Sequence, residues 1–279
     1  MHFLIFTNHH KDKDFSFTHK INDYVTKNGH KVTLITDENG MVCDEDAIPK
    51  DADCMLVLGG DGTMLQAAWA VKKLDVPLIG VNLGTLGYMT EIEPQGIYEA
   101  LDKLFAGDFT TEERMMLNGQ VLFGDGRKVK EWALNDIVIT RAGSLQIIKL
   151  RVYVNGQFLN EYQADGVIVT TPTGSTGYSL SAGGPIVEPK ARLIMLTPIS
   201  PHTLNARSII LSPEDEIEIE VPDGREGAEQ TVEANFDGAH NVPLHTGDKI
   251  RIVASKRTTQ IAKINGESFL EVLHRKISE

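Results

Sequence analysis

Residues Leu58 to Thr63, with the sequence Leu-Gly-Gly-Asp-Gly-Thr, are the part of this chain best suited to chemistry. They lie between an apolar stretch, Cys54–Leu58, which predicts a buried strand, and the segment Met64–Ala70, which predicts a helix. Glycines at such a junction let the backbone bring its N–H groups close to a ligand, and the first turn of a helix attracts phosphate. A carboxylate in the middle, Asp61, repels phosphate unless a cation screens it or it has a task of its own. The pattern therefore predicts phosphoryl transfer, with Asp61 taking a proton from an attacking hydroxyl.

Two common phosphate-binding motifs do not fit this stretch. The chain has no G-x-x-x-x-G-K-[ST] sequence, so the lysine of a P-loop is missing. Leu65 stands where the third glycine of a dinucleotide fingerprint belongs. The structural alternative is a turn in which Asp61 only caps the helix.

A second group of polar residues follows the apolar stretch Val167–Val169. From Thr170 to Ser181 the chain is dense in hydroxyl groups and small residues, with Tyr178 among them. Tyr178 could stack on a purine or pyridine ring, and Asp165, just before the stretch, could accept hydrogen bonds from an exocyclic amine or amide. A flexible linker has a similar composition, but a tyrosine so soon after a buried strand favours a binding loop.

The pair Asn135-Asp136 begins another apolar stretch. An amide next to a carboxylate is well suited to the two hydroxyl groups of a ribose. Taken alone, the pair is more typical of a turn before a strand.

The first 113 residues alternate strand and helix patterns. Strands are predicted at Phe3–Thr7, Val32–Thr36, Cys54–Leu58 and Pro77–Val81, and helices at Phe17–Asn28 and Ile97–Phe105. This alternation indicates a parallel sheet flanked by helices, in which ligands bind beyond the carboxyl ends of strands. Asp61 follows one such end and the loop Asn82–Tyr88 follows another, so we expect both to face one cleft.

After about Glu113 the pattern changes to short β-type segments. They lie at Leu117–Phe123, Ile137–Thr140, Ile147–Val154, Phe158–Gln163, Val167–Thr170, Ile217–Val221, Thr231–Phe236, Ile250–Val253 and Gln260–Ile264. Asn155-Gly156 is a strong signal for a hairpin turn. We therefore expect an α/β domain over residues 1–113 and an all-β, sandwich-like domain over 114–265. Residues 266–279 carry apolar side chains at helical spacing and are predicted to return to the first domain as a helix.

Composition limits the classes of function. A net charge of −12, from 27 basic and 39 acidic residues, argues against nucleic acid as the main partner. Only Cys43 and Cys54 occur, which fits a reducing compartment. No apolar stretch approaches the ~18 residues of a membrane span, and the first residues do not resemble a signal peptide. We expect a cytoplasmic protein without membrane association. The histidines form no recognisable metal motif, so the metal ligands stay unassigned.

Taken together, these features resemble the NAD kinase family. The Gly59–Thr63 loop, the Asn135-Asp136 pair and the segment Asp165 to Tyr178 occur in the family's order, and Leu196–His202 is also similar to it. The glycine loop is shared with lipid kinases and phosphofructokinases, whereas the hydroxyl-rich segment is much more specific. The resemblance covers essentially the whole chain and implies an α/β domain followed by a β-sandwich domain.

The resemblance also implies the chemistry. Asp61 would be the general base that deprotonates the 2′-hydroxyl of the adenosine ribose of NAD for attack on the γ-phosphate of ATP, with Mg²⁺ accompanying the nucleotide. Tyr88 would lie near the adenine. The remaining residues implied in nucleotide binding are Gly60, Gly62, Thr63, Asn135, Asp136, Asp165, Thr173, Thr176, Gly177, Tyr178, Ser179 and Ser181. The family's enzymes are dimers or tetramers with sites at subunit contacts, so a homodimer or homotetramer is expected.

Two positions depart from the family's pattern. Asp136 replaces the more usual Glu, and Gly177 replaces the more usual Ala. Both changes bear on affinity and substrate preference rather than on the reaction class.

Two alternative functions are a kinase that acts on another hydroxyl, such as that of a lipid, and a dinucleotide sensor without catalysis. The sequence leaves open NAD against NADH, the donor (ATP, another triphosphate or polyphosphate) and feedback by NADPH.

Overall fold

A computed structural model of the chain describes residues 1–36, 40–43, 47–85, 87–143, 147–203 and 205–278. The chain forms two compact units, Met1–Glu113 with Thr259–Glu279, and Arg114–Thr258. In chain order the elements are β1 (His2–Thr7), α1 (Ser16–Lys27), β2 (Lys31–Leu34), β3 (Cys54–Gly59), α2 (Asp61–Ala70), β4 (Leu78–Asn82), β5 (Thr90–Ile92), α3 (Ile97–Ala106), β6 (Thr110–Leu122), β7 (Lys128–Ala133), β8 (Asp136–Arg141), β9 (Ile148–Val154), β10 (Gln157–Ala164), β11 (Gly166–Thr170), α4 (Tyr178–Ser181), β12 (Ile194–Ile199), β13 (Ile209–Leu211), β14 (Ile217–Glu220), β15 (Thr231–Phe236), β16 (His240–His245), β17 (Lys249–Lys263) and α5 (Phe269–Ser278).

The first unit contains a parallel sheet in the order β2-β1-β3-β4-β5. The end of β17 adds to β4, where Ile261 lies opposite Leu78 in parallel. Every residue of β3 and of β4 is buried, as is typical of parallel strands covered on both faces. Apolar residues of β1, β3 and β4 pack with Ile21 and Val25 of α1 and with Leu101 of α3. The predicted α/β domain is confirmed.

Boundaries in this unit differ from the prediction by up to three residues; the largest difference is at helix α2, which begins at Asp61 instead of Met64. Helix α1 begins at Ser16, and Gly29 follows its end with φ of +80°, a left-handed conformation that a glycine adopts without strain. Strand β2 ends at Leu34 instead of Thr36, and Thr36 forms an isolated antiparallel bridge with Val42.

The second unit is a β-sandwich. One antiparallel sheet has the order β13-β12-β11-β8-β15-β16, and a second contains β10-β9-β14-β17. The core between them joins Ile137, Val167 and Leu196 of the first sheet with Val152 and Ile219 of the second. The predicted sandwich is confirmed, and so is the hairpin between β9 and β10. Its turn residues both have positive φ, 51° at Asn155 and 75° at Gly156, as a tight two-residue turn requires.

Some strands were not predicted. Strand β12 contains Pro198, which argues against a strand. It is tolerated because β13 pairs only with residues 194 to 196 of β12, so Pro198 has no partner on that side. The two segments predicted at Ile250–Val253 and Gln260–Ile264 form one continuous strand, β17. The strands β5, β7, β13 and β16 were not predicted either; β13, with the sequence Ile-Ile-Leu, is apolar but only three residues long.

The apolar spacing of the tail predicts a helix, and the structure has one, α5, which is part of the first unit. Glu91 fixes the chain before it by accepting hydrogen bonds from the N–H groups of Ile264, at 3.0 Å, and Asn265. Within the described ranges, no helix combines the length and the apolar character needed to cross a membrane.

Candidate active site

The turn between β3 and α2 is built around Thr63. Its hydroxyl accepts hydrogen bonds from the Gly60 N–H at 3.3 Å and from the Asn8 side-chain amide at 3.0 Å. A Cβ on Gly59 would lie 2.2 Å from that hydroxyl, so a glycine is needed there. Thr63 is buried and its hydroxyl serves the turn itself. The turn leaves Gly60 extended and Asp61 as the first residue of α2.

The carboxylate of Asp61 is held by the loop after β4. One oxygen accepts a hydrogen bond from the Tyr88 N–H at 2.7 Å, and the other accepts one from the Met89 N–H at 2.9 Å. A Cβ on Gly87 would lie 2.2 Å from Oδ1 of Asp61, so the loop approaches this closely only because residue 87 has no side chain. The two loops expected to share a cleft therefore do meet, at this carboxylate. Leu86 lies outside the described residues.

Space remains open at Gly62, the residue that follows Asp61. Gly62 is exposed, and a Cβ built on it would meet no atom within 4 Å. A carboxylate has about four lone-pair sites, of which the two N–H groups use two. The arrangement therefore presents a fixed, half-exposed proton acceptor at the rim of an open cradle of backbone groups.

Tyr88 is held by the C-terminal helix. Its ring lies 6.1 Å from that of Phe269, between centroids, and the Lys276 ammonium lies 4.6 Å from its centroid, a cation–π distance. Burial, and then the charge of Asp61, raise the pKa of the Tyr88 hydroxyl. The tail thus positions an aromatic side chain whose own N–H binds the Asp61 carboxylate.

In the second unit, Asn135 and Asp136 are positioned by Asp237, a residue that the sequence did not single out. The Asp237 carboxylate accepts hydrogen bonds from three consecutive N–H groups, those of Leu134 at 2.6 Å, Asn135 at 2.8 Å and Asp136 at 3.1 Å. Asp237 and Gly238 form the turn between β15 and β16, with φ of 50° and 72°. The Asp-Gly pair signals a hairpin turn, but nothing in the sequence signals that its side chain reaches a segment about 100 residues away.

The two carboxyl groups of Asp136 and Asp237 differ in their titration. Burial, and then the charge of Asp237, raise the pKa of Asp136 to about 7. Burial also raises the pKa of Asp237, to about 6, but the three N–H donors oppose this shift. Near neutral pH, Asp136 is therefore present in both its protonated and its ionised form, and it can donate to or accept from a hydroxyl group.

Hydroxyl groups of the hydroxyl-rich segment form hydrogen bonds with the backbone of Leu134 and Asn135. The Thr170 hydroxyl donates to the Asn135 carbonyl at 2.9 Å, and the Thr171 hydroxyl donates to the Leu134 carbonyl at 2.6 Å. A Cβ on Gly174 would lie 2.4 Å from the Asn135 carbonyl oxygen. The Ser179 hydroxyl is fully buried and shares a hydrogen bond with that of Thr197 at 3.2 Å.

Two polar atoms of this region point to a ligand. Oδ1 of Asn135 and Oγ1 of Thr173 are buried, and neither has a hydrogen-bond partner among the described residues. Buried polar atoms are rarely left unpaired in proteins, so each such atom calls for an explanation. Beside them Thr176 and Gly177 are partly exposed, and Tyr178 and Ser181 are exposed.

Gly177 has room for a methyl group. Its φ is −97°, and a Cβ would lie 3.3 Å from the Gly174 carbonyl oxygen and 3.6 Å from Nδ2 of Asn135. An alanine at this position needs only a slight adjustment, so the departure from the family's usual Ala is structurally mild.

Asp165 lies apart from this cluster. It precedes β11, whereas Thr171 and the hydroxyl-rich segment follow it, and a strand of five residues separates them by about 17 Å. At its own end of the strand, Asp165 forms an ion pair with Arg141, with Nε and Oδ1 at 3.3 Å. One copy of this unit therefore does not bring Asp165 together with Asn135 and Tyr178.

Comparisons with known proteins agree with the observed fold. The model of the ATP-NAD kinase N-terminal domain matches residues 6–109, and that of the ATP-NAD kinase C-terminal domain matches residues 134–264. The chain is 47% identical to the NAD kinase of Agathobacter rectalis, over 99% of this chain and 98% of that protein. It is 43% identical to the NAD kinase of Lachnoclostridium phytofermentans, over 99% of each.

Two solved structures are similar in fold. The yeast NADH kinase complexed with NADH gives a TM-score of 0.86 at 23% identity, covering 100% of this chain and 87% of that one. An NAD kinase from Archaeoglobus fulgidus in complex with ATP gives a TM-score of 0.79 at 25% identity, covering 100% and 99%.

Proposed function

The chain belongs to the ATP-NAD kinase family, and on that premise we propose how its residues carry out the reaction. It is an NAD kinase, a phosphotransferase that uses ATP. The proposal concerns the hydroxyl that is phosphorylated, the proton acceptor, the groups that hold each substrate and the assembly in which they work.

Asp61 is the general base in this proposal. The observation that carries it is the carboxylate fixed by the Tyr88 and Met89 N–H groups beside the open space at Gly62. A base must lie within hydrogen-bond reach of the proton that it removes, and the remaining lone pairs of Asp61 face no other fixed donor in the hydrogen bonds described. The 2′-hydroxyl of the adenosine ribose of NAD would donate to Asp61 and then attack the γ-phosphate of ATP.

The cradle at Gly60 and Gly62 would hold the phosphate groups next to that hydroxyl. The one carboxylate at the cradle, that of Asp61, fits a magnesium ion that arrives with the triphosphate, since Mg²⁺ is commonly held by one or two carboxylates together with substrate phosphates. Among the described residues, no three His, Cys, Asp or Glu side chains form a group that would hold an ion alone. Asp61 is the cradle carboxylate that could contact it, and the ion would offset phosphate charge.

The second unit would bind the dinucleotide. The unpaired oxygens of Asn135 and Thr173 support this assignment, because ribose hydroxyls and base amines are donors that would satisfy them. Asp136 would bind a ribose hydroxyl, and the exposed ring of Tyr178 would stack on a base. Thr176, Gly177 and Ser181 line the same segment.

The position of Asp165 supports a homo-oligomer. A residue about 17 Å from the hydroxyl-rich segment along β11 cannot contact the same small group in one copy. We place Asp165 in the site of a second copy, as expected for a dimer or tetramer. Cys43 and Cys54 form no disulfide, which agrees with the reducing cytoplasm that we propose as its location.

The test is the formation of NADP⁺ from NAD⁺, ATP and Mg²⁺, read with a dehydrogenase specific for NADP⁺ so that only 2′-phosphorylation gives a signal. Replacing NAD⁺ by NADH, and ATP by other triphosphates or polyphosphate, defines the substrates. Binding of NAD⁺ without turnover would favour a sensor, and neither binding nor turnover would favour a kinase acting on another hydroxyl.

A further inference from the structure

The turn that follows β1 is fixed against the phosphate cradle. The Asn8 N–H donates to the Leu58 carbonyl at 2.9 Å, and its side-chain amide donates to the Thr63 hydroxyl at 3.0 Å. The Lys11 N–H in turn donates to the Asn8 carbonyl at 3.0 Å. The backbone of Lys11 is therefore tied, through Asn8, to both ends of the glycine turn that carries Asp61.

The other side of this turn is fixed as well. Asp12 is buried, and its carboxylate accepts hydrogen bonds from the N–H groups of Phe17, at 3.2 Å, and Thr18, at 2.9 Å, and from the Thr18 hydroxyl at 2.7 Å. These bonds hold the residue after Lys11 against the first turn of α1. Lys11 thus has a fixed backbone on both sides although its side chain is exposed.

The Lys11 ammonium lies over both glycine loops. Its Nζ is 3.0 Å from the position of a Cβ on Gly60 and 2.8 Å from that of a Cβ on Gly84. A side chain at either glycine would displace it. Within the described ranges, Lys11 forms no ion pair with a carboxylate.

We propose that Lys11 binds the phosphate chain of a substrate in the cradle. The inference rests on the proposed function, in which the cradle holds phosphate beside Asp61. A negative carboxylate disfavours phosphate there, and this chain lacks the lysine that a P-loop places within its own loop. An ammonium group is a compact charge with three donors, and Lys11 supplies it from 50 residues upstream of Asp61.

The phosphate chain could be the triphosphate of ATP or the pyrophosphate of NAD. Both have the same chemistry at a lysine, so substrate kinetics must separate them. Lys11→Gln removes the charge and keeps much of the length, and Lys11→Arg keeps the charge. Lys13→Gln is the matched control, because Lys13 is an exposed lysine of the same turn.

The first readout is calorimetric binding of inorganic tripolyphosphate. We expect Lys11→Gln to weaken it by about 10- to 100-fold, Lys11→Arg to weaken it less, and Lys13→Gln to leave it unchanged. The second is kcat/KM measured separately for ATP and for NAD⁺. A loss confined to the ATP value assigns the triphosphate to Lys11, and a loss confined to the NAD⁺ value assigns the pyrophosphate.

Equal behaviour of Lys11→Gln and Lys13→Gln in both readouts would overturn the inference. Failure of the proposed function is a separate result: the wild-type protein would then make no NADP⁺, while tripolyphosphate binding would still measure the role of Lys11.

Discussion

Substitution of Gly87 by alanine should lower turnover by displacing the Asp61 carboxylate rather than by removing a contact with a substrate. In the structure, a Cβ on residue 87 would lie 2.2 Å from Oδ1 of Asp61, about 1.2 Å short of the 3.4 Å at which ordinary contact begins. It would also lie 2.5 Å from the Thr90 hydroxyl. Either the carboxylate or the loop must move, and both movements strain the hydrogen bonds from Tyr88 and Met89.

The expected loss follows from this displacement. A catalytic group moved by about 1 Å can cost about 10²-fold in rate. We therefore expect Gly87→Ala to lower kcat by about 100-fold at saturating NAD⁺ and ATP. Gly96→Ala is the matched control, because a Cβ there meets nothing within 4 Å and the residue has a negative φ. Thermal unfolding of both variants checks that the fold persists.

A double-mutant cycle makes the test specific. If Gly87→Ala acts through Asp61, it should add little to the loss in an Asp61→Asn background, because residues that act as one unit are not additive. Near wild-type kcat in the single variant would refute the reasoning. So would a further 100-fold loss in the double variant.

Three other predictions concern the cradle and the nucleotide site. Gly62→Ala should keep or raise the melting temperature, since alanine is favoured over glycine in a helix by about 1 kcal/mol. The value of kcat/KM for NAD⁺ should nevertheless fall, because the methyl group enters the open space at Gly62. Unchanged kinetics would place the substrate elsewhere. The raised pKa of Asp136, about 7, means that the native state retains a proton that the unfolded chain releases near pH 4. The stability that this proton contributes is fully present below about pH 4 and is lost as the pH rises through about 7. Asp136→Asn should therefore reduce the change in the urea midpoint of unfolding between about pH 5 and about pH 8. An unaltered pH dependence of that midpoint would contradict the raised pKa of Asp136. Tyr178→Ala should weaken dinucleotide binding about tenfold or more in calorimetry, as expected for loss of base stacking, while Tyr178→Phe should bind nearly as the wild type; equal losses would indicate that the hydroxyl matters instead.

The sequence predicted those features that depend on local chemistry. The glycine turn at Asp61, the Asn155-Gly156 hairpin and the change from α/β to all-β patterns each reflect the preferences of neighbouring residues. Strand β12 escaped because Pro198 is acceptable only at a position that β13 does not reach. That exception depends on pairing between distant segments, which a local pattern does not contain.

The residues that support the site were not predicted either, because they too depend on contacts between distant segments. Asp237 collects N–H groups about 100 residues away, and Lys11 reaches the cradle through a turn fixed by Asn8. Asp165 was grouped with Tyr178 by closeness in sequence, although the intervening strand carries the two to opposite ends. The hydroxyl of Ser179 is buried in a hydrogen bond with that of Thr197, which the density of hydroxyl groups in the sequence does not reveal.

The central claim, that Asp61 is the general base, is tested most directly by comparing turnover with binding in Asp61→Asn. Asparagine keeps the shape of the side chain but does not act as a base. We expect kcat for NADP⁺ formation to fall by about 10²–10⁴-fold, while calorimetry gives a dissociation constant for NAD⁺ close to that of the wild type. Near wild-type turnover in this variant would contradict the claim.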